Sequence, residues 1–96
     1  MKENRVVLIT GGTRGIGLAV AKKFLQYGNR VAVASIDDEE TVNKALLELN
    51  AIGEAAYFRL DVANKENCRQ VVEQTVQKYG TLDVLCNIAG IVGELK

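Results

Sequence analysis

Residues 10–17 read TGGTRGIG and separate two stretches of different pattern. The preceding run at 5–10, RVVLIT, is apolar and rich in β-branched side chains, which favours a buried strand. After the loop, apolar residues recur at helical spacing from Ile16 onward. The glycine-rich segment therefore connects a strand to the N-terminus of a helix. Unpaired N–H groups and a partial positive charge at such a terminus attract phosphate, provided that no Cβ holds the ligand away.

The glycines of this loop suit a phosphate site. Gly11 and Gly12 can make the tight turn out of the strand. Gly15 would permit the close approach of a pyrophosphate, and Gly17 would let the helix pack closely on the sheet. A glycine turn without a ligand is the alternative, and the position between a strand and a helix argues against it. A P-loop requires lysine and then serine or threonine after its last glycine, whereas leucine and alanine follow Gly17.

The rest of the chain repeats this alternation. Strand-like apolar runs occupy residues 5–10, 30–35, 55–60 and 82–87. The predicted buried faces of the three helices between them comprise Ile16, Ala19, Val20, Phe24 and Tyr27; Val42, Ala45, Leu46 and Leu49; and Cys68, Val71, Val72, Thr75, Val76 and Tyr79. Because the strand runs are apolar on both faces, we expect a parallel sheet covered by helices on each side. The predicted fold class is α/β, a doubly wound sheet in the order β-α-β-α-β-α-β.

The ends of the helices also carry signals. Asp38 and Asn64 precede the second and third helical stretches and are predicted N-caps. Gly28, Gly53 and Gly80 follow the three stretches, where a residue in the left-handed conformation commonly ends a helix.

The composition excludes several classes of function. Lys and Arg number 12, as do Asp and Glu, so no net charge favours nucleic acid or an anionic membrane as a partner. His is absent, and Cys68 and Cys86 lack metal-ligand spacing, so we expect two buried free thiols and no metal site. The apolar run VVLIT is too short for a signal peptide or a membrane span. We therefore expect a cytoplasmic protein.

Three segments resemble the short-chain dehydrogenase/reductase family. The pattern Thr-Gly-x-x-x-Gly-x-Gly at 10–17 resembles the glycine motif of that family, and not the three-glycine fingerprint of other Rossmann dehydrogenases. Asp61-Val62 follows the third strand run, where the family places an aspartate that contacts adenine. Residues 87–90, Asn-Ile-Ala-Gly, resemble the family's Asn-Asn-Ala-Gly, with Ile88 as a departure. Asp61 as a strand-end cap and Asn87 as a turn residue are the alternatives.

The resemblance implies a Rossmann-like doubly wound parallel sheet, truncated here to about four strands and three helices in the order 3-2-1-4. It also implies a site for a nicotinamide dinucleotide, NADP or NAD. The implied cofactor-binding residues are Gly11, Thr13, Arg14, Gly15, Ile16, Gly17, Ser35, Asp61, Val62, Asn87, Ala89 and Gly90.

The choice between NADP and NAD depends on two positions in the sequence, the glycine loop and the end of the second strand run. Arg14 resembles family members that take NADP, in which a cation faces the 2′-phosphate. Ser35 stands where NAD-preferring members have an acidic residue, and Ile36 supplies no second cation. Asp37 lies close enough to oppose the assignment. We expect NADP to be preferred.

The catalytic residues of the family have no match in this sequence. They are a serine and a tyrosine with a lysine four residues later, and none of Tyr27, Tyr57 and Tyr79 has that lysine. Ser35 is the sole serine and belongs to the adenosine end of the site. We expect residues 1–96 to be the N-terminal, dinucleotide-binding half of a short-chain oxidoreductase domain, which binds the cofactor without turnover.

A stand-alone, non-catalytic nucleotide-binding or interaction module is the alternative to that assignment. The final residues 90–96, GIVGELK, lack a terminal helix, which favours a segment of a longer protein. A flavodoxin-like or response-regulator domain would need an acidic cluster after the first strand, and that cluster is missing. By family analogy the fourth strand lies at an edge of the sheet, so we also expect self-association through LDVLCN at 82–87.

Overall fold

The computed structural model describes residues 4–88. The elements are β1 (Val6–Thr10), α1 (Gly15–Gln26), β2 (Arg30–Ser35), α2 (Glu39–Asn50), β3 (Ala55–Arg59), α3 (Lys65–Tyr79) and β4 (Val84–Asn87). This order confirms the predicted alternation of strands and helices. Two of the predicted site residues, Ala89 and Gly90, lie outside the described residues.

The four strands form one parallel sheet in the order β3-β2-β1-β4, as predicted. β1 is central and pairs through Val7 with Val31 of β2 and with Val84 of β4. Because the strands are parallel, their carboxyl ends meet at a single edge of the sheet. In open α/β sheets, ligands bind at that edge, where neighbouring connections diverge to opposite faces.

β4 is shorter than the predicted run at 82–87, since it begins at Val84. Asp83 ends the preceding loop by pairing with the start of β1. Its carboxylate accepts a hydrogen bond from the Val6 N–H at 2.8 Å, and its own N–H donates to the Val6 carbonyl at 2.9 Å. The Asp83 side chain thus accepts the hydrogen bond from the Val6 N–H that a backbone carbonyl would accept if β4 began earlier.

Two apolar cores lie on opposite faces of the sheet because alternate residues of each strand point to opposite sides. On one face, Val6 and Leu8 of β1 belong to the same buried cluster as Val71 of α3. On the other face, Val7 and Ile9 cluster with residues of α1 and α2. The helices therefore cover both faces of the sheet, which confirms the doubly wound architecture.

The predicted buried face of α1 is confirmed only in part, since Val20 and Phe24 pack against the core but its first and last members do not. Ile16 is 69% exposed and Tyr27 is 44% exposed, whereas Gly17, Ala21 and Leu25 are buried. The small residues lie inside because the start of α1 packs against backbone, as described below. For α2 and α3 the prediction holds at their most buried positions, which are Val42, Ala45 and Leu49 in α2 and Val71, Thr75 and Tyr79 in α3.

The predicted helix ends are mostly confirmed. The Asp38 side chain accepts the Thr41 N–H at 2.8 Å, and the Asn64 side chain accepts the Asn67 N–H at 3.0 Å. Gly28 and Gly80 both have φ of +85°. The prediction for Gly53 is wrong, since it is absent from the positive-φ glycines. A Cβ on Gly53 would instead meet the Leu25 side chain at 3.2 Å, so this glycine serves close packing of α1.

The two cysteines are free thiols, and both are half-buried instead of buried. Burial raises the pKa of the Cys86 thiol above its ordinary value. Among the residues that the structure describes, none of the helices has the length and apolar character needed to cross a bilayer.

Candidate nucleotide-binding cleft

A cleft of about 610 Å³ opens at the carboxyl edge of the sheet. The loops after β1, β2 and β3 meet there, together with the start of α1. The lining residues are Gly11, Arg14, Gly15, Ile16, Gly17, Ala34, Ser35, Ile36, Asp37, Leu60, Asp61, Val62 and Ile88. Most of the predicted cofactor-binding residues that the structure describes therefore share one cavity.

The N-terminus of α1 forms one wall of this cleft and has no side-chain cap. Its N-cap residue, Arg14, has extended backbone geometry and makes no capping hydrogen bond with its side chain. The Leu18 N–H donates to the Arg14 carbonyl at 3.3 Å, so the amides of residues 15–17 precede that first helical bond. In α2 and α3 a side chain of Asp38 or Asn64 satisfies a first-turn amide. The uncapped terminus leaves amides and a partial positive charge available to an anion.

The glycines of the loop serve different contacts. Gly15 has φ of +59°, and a Cβ built there would meet nothing within 4 Å, so the space beside it is open. A Cβ on Gly17 would lie 1.9 Å from the Gly11 carbonyl oxygen, and one on Gly12 would lie 2.5 Å from Cγ1 of Val33. Gly12 therefore packs on the sheet, while Gly17 packs on the loop itself, which differs from the sheet contact predicted for Gly17. Gly15 alone among these three leaves room for a ligand.

Polar side chains cluster at the end of β2. The Arg14 guanidinium lies 3.1 Å from the Asp37 carboxylate, and the Thr13 hydroxyl donates to the other oxygen of that carboxylate. The Thr13 hydroxyl also lies 3.1 Å from the Ser35 hydroxyl. Tyr57 of β3 donates to the Ser35 carbonyl at 2.6 Å. These contacts tie the loop after β1 to the loop after β2.

Asp37 lines the cleft but was not among the predicted cofactor-binding residues, although the sequence analysis noted that it opposes the NADP assignment. A signal existed, because Asp37 follows the carboxyl end of a parallel strand and the adjacent Asp38 already serves as the N-cap of α2. Ala34 and Leu60 also line the cleft without having been singled out, and Ile36 and Ile88 line it although they were not among the predicted cofactor-binding residues.

Apolar side chains form the remaining walls. Ile16, Ile36 and Val62 are 69%, 58% and 47% exposed, which is unusual for large apolar residues. All three line the cleft. Such walls suit a flat aromatic group, since small-molecule sites combine apolar surface with a few polar groups that fix orientation.

Asp61 has a structural use as well as a place in the lining. Its carboxylate accepts the Ala63 N–H at 3.0 Å, and its own N–H donates to the Asn67 side chain at 2.7 Å. These bonds shape the turn between β3 and α3. The alternative interpretation of Asp61 as a strand-end residue is therefore compatible with a position at the cleft.

Asn87 lies at the end of β4, outside the lining of the cleft. The Thr10 hydroxyl donates to its side-chain oxygen at 2.8 Å, which ties the end of β4 to the end of β1. Its neighbour Ile88, the departure from the family pattern, does line the cleft. Within residues 4–88 there is no group of three or more His, Cys, Asp or Glu side chains that could hold a metal ion.

The architecture is a doubly wound α/β sheet with a cleft at the carboxyl edge of its strands. The profile of the family described as short chain dehydrogenase matches residues 5–96. The chain belongs to this family.

Named relatives agree with that membership. The chain is 36% identical over 92 residues to zerumbone synthase of Zingiber zerumbet, covering 96% of this chain and 34% of that protein. A solved NADH-dependent reductase complexed with NAD has a TM-score of 0.80 at 34% identity, covering 88% of this chain and 36% of the other. A variant of actinorhodin polyketide ketoreductase with NADPH has a TM-score of 0.81 at 36% identity, covering 88% and 32%. The chain thus spans about a third of the length of these relatives.

Proposed function

We propose that the cleft binds the adenosine diphosphate part of a nicotinamide dinucleotide. The observation that carries this proposal is the uncapped start of α1, where Gly15 leaves open space beside amides that lie in the cleft wall. A pyrophosphate satisfies such amides and is favoured by the helix dipole. Family membership supports the same assignment. When bound, the nicotinamide would supply the chemistry of hydride transfer.

The proposed contacts follow the chemistry of each part of the cleft. The amides of Gly15, Ile16 and Gly17 would hold the pyrophosphate, with Gly11 and Thr13 shaping the loop that presents them. The adenosine would lie towards Ser35, Asp61 and Val62, where polar groups adjoin an apolar wall. Asn87, Ala89 and Gly90 remain proposals from the family pattern for the segment after β4.

We propose that NADP is preferred over NAD. Arg14 lines the cleft with a side chain that is 76% exposed, and a guanidinium binds a phosphate dianion through paired hydrogen bonds. Ser35 adds no negative charge at the end of β2. One structural neighbour is a complex with NAD and another is a complex with NADPH, so family membership alone does not set the preference.

The binding proposal predicts a selective effect of Gly15→Ala. A Cβ at residue 15 would enter the open space proposed for the pyrophosphate, and we expect at least a tenfold rise in the Kd for NADP, measured by calorimetry. Gly80→Ala is the matched control, because Gly80 also has positive φ and open surroundings but follows α3, outside the cleft lining. Each variant should lose about 1 kcal/mol of unfolding free energy. Equal affinities for NADP in the two variants would contradict the proposed pyrophosphate site. Tighter binding of NAD than of NADP by the unaltered chain would contradict the proposed preference for NADP.

We further propose that residues 1–96 are the N-terminal, dinucleotide-binding part of an oxidoreductase domain, about a third of its length, and that the complete form exchanges hydride with a carbonyl or alcohol. Two observations support this proposal. The chain covers about a third of a relative's length, and no tyrosine in this sequence has a lysine four residues later. A stand-alone nucleotide-binding or interaction module is the second candidate. We propose a cytoplasmic location because the two thiols are unpaired.

Self-association through β4 is a further part of the proposal. Within residues 4–88, β4 lies at one edge of the sheet, and its Leu85 is 55% exposed. An edge strand presents unpaired backbone groups that a strand of a second copy can use.

A further inference from the structure

The chain that leaves β3 at the wall of the cleft is anchored to two different elements. The Leu60 N–H donates to the Ser35 carbonyl at 2.9 Å, which ties the end of β3 to β2. The next amide, that of Asp61, donates to Oδ1 of Asn67 in the first turn of α3 at 2.7 Å. Because two consecutive amides are bonded to the sheet and to α3, the direction of the Asp61 side chain is fixed relative to both.

Asn67 is the third residue of α3, and its side chain does not make the usual contact for that position. In a capping box, the side chain at this position returns to the amide of the N-cap residue. Here the amide of the N-cap, Asn64, donates to the Asp61 carbonyl at 3.0 Å, and the Asn64 side chain accepts the Asn67 N–H at 3.0 Å. The Asn67 side chain reaches past the N-cap to the Asp61 amide. These hydrogen bonds form a closed set that joins α3 to the turn at Asp61.

The Asp61 carboxylate has one oxygen available to a ligand. Its Oδ1 accepts the Ala63 N–H at 3.0 Å. Within residues 4–88, the other oxygen, Oδ2, accepts no hydrogen bond, and the carboxylate forms no ion pair. Asp61 is exposed and lines the cleft beside Val62. An ionised carboxylate accepts hydrogen bonds only, so its partner on a ligand must be a donor, such as the 6-amino group of adenine.

We infer that Asn67 is a positioning residue, which holds the Asp61 backbone so that the free carboxylate oxygen selects a purine with a 6-amino group. This inference rests on the proposed function of the cleft and assigns part of its selectivity to a side chain of α3 outside the lining. Asn67 acts through its hydrogen bond to the Asp61 amide. Without that bond, one of the two backbone anchors is lost, and Oδ2 is no longer held in a single direction.

A comparison of two nucleotides tests this selection. Purine riboside 5′-diphosphate has a hydrogen atom where ADP has the 6-amino group, and the two are otherwise alike. We expect calorimetry to show that the unaltered chain binds ADP about tenfold more tightly than this analogue, which corresponds to one hydrogen bond to a charged group. In Asn67→Ala, the ratio of the two Kd values should fall below about threefold, with most of the change in the Kd for ADP.

Two variants serve as controls. Asn67→Asp keeps an acceptor oxygen at the same reach, and its negative charge is favourable at a helix N-terminus, so the ratio should return to more than about fivefold. Gly80→Ala lies at the opposite end of α3 and strains a residue with φ of +85°, so it should lower the unfolding free energy while the ratio stays at about tenfold.

Three results would overturn the inference. An equal loss of affinity for both nucleotides in Asn67→Ala, with the ratio unchanged, would show that Asn67 has a structural role only. A ratio in Asn67→Asp no higher than in Asn67→Ala would show that the acceptor oxygen is not what matters. Equal binding of the two nucleotides by the unaltered chain would show that Asp61 does not read the amino group, while the proposed function would stand. Failure of the unaltered chain to bind ADP is a different outcome, which would overturn the proposed function and this inference with it.

Discussion

At the scale of single residues, three glycines of one loop are required for three different reasons. Gly15 is flanked by open space, Gly12 touches the side chain of Val33, and Gly17 abuts the carbonyl of Gly11. The sequence predicted that a Cβ is excluded from this loop, because the alternation of strand and helix locates it. Which neighbour excludes the Cβ could not be predicted, since Val33 belongs to a strand 21 residues after Gly12 in the chain.

Tyr79 has a buried hydroxyl that opposes folding, which only the structure reveals. It ends α3 inside the core at 8% exposure, and its hydroxyl has no hydrogen-bond partner within the described part of the chain. The Arg30 guanidinium lies 5.3 Å from the centre of its ring. Burial raises the pKa of the Tyr79 hydroxyl above its ordinary value of 10.0, with Glu54 adding to the effect and Arg30 opposing it. Burial of an unpaired hydroxyl costs free energy, so the ring and not the hydroxyl stabilises this position.

Tyr79→Phe should therefore change the unfolding free energy at pH 7 by less than about 1 kcal/mol. A raised folded-state pKa gives stability that is fully present below the unfolded value of about 10 and is lost as the pH rises through the folded value. The unaltered chain should thus lose stability above pH 10 more steeply than Tyr79→Phe, as measured by urea unfolding. Tyr27→Phe, in which the altered residue is 44% exposed, is the control and should keep the steep loss. Identical pH profiles for the chain and Tyr79→Phe would contradict this account.

At the scale of elements, α1 shows how apolar periodicity misleads near a binding loop. Counting large apolar residues placed Ile16 and Tyr27 inward, whereas the structure buries Gly17, Ala21 and Leu25. The helix begins in contact with the backbone of its own loop, so its inner face must carry small side chains there. Ile16 remains exposed at the cleft, where it adds apolar surface to the proposed adenosine site.

The prediction of self-association concerns β4, whose edge can pair with a strand of a second copy. Leu85→Lys would place a charge on the edge strand, and edge charges prevent pairing between strands of different copies. We expect sedimentation equilibrium to show concentration-dependent dimers for the unaltered chain and monomers for Leu85→Lys. Leu47→Lys is the matched control, because Leu47 is 76% exposed on α2 and does not belong to the edge strand. A monomer at the highest concentration attained by the unaltered chain would contradict the proposal.

At the scale of the whole molecule, the cleft exists because three loops diverge from one edge of a parallel sheet. The pairing of Thr10 with Ala34 and of Ser35 with Arg59 brings the ends of β1, β2 and β3 into line. Family membership and this geometry support cofactor binding by the chain. Within the described residues, the ionisable side chains that line the cleft are those of Arg14, Asp37 and Asp61.

We accordingly expect the purified chain to bind NADPH without oxidising it in the presence of ketones. The physical reason is that the sequence lacks the lysine that would lower the pKa of a tyrosine hydroxyl for proton transfer. Loss of absorbance at 340 nm is the measurement, with calorimetry of NADPH on the same preparation as the control for a functional cleft. Ketone-dependent oxidation of NADPH above the rate without protein would contradict this expectation.

The sequence by itself determined the number and order of the strands and helices, the caps at Asp38 and Asn64, and the glycine loop before α1. These features follow from residues close together in the chain, whose spacing and backbone preferences are local. Only the tertiary structure decided which face of α1 is buried and that Arg14 pairs with Asp37. Those two residues are 23 positions apart, and the register of β1 on β2 sets their separation in space. Local patterns do not encode that register, because it is fixed by packing on both faces of the sheet at once.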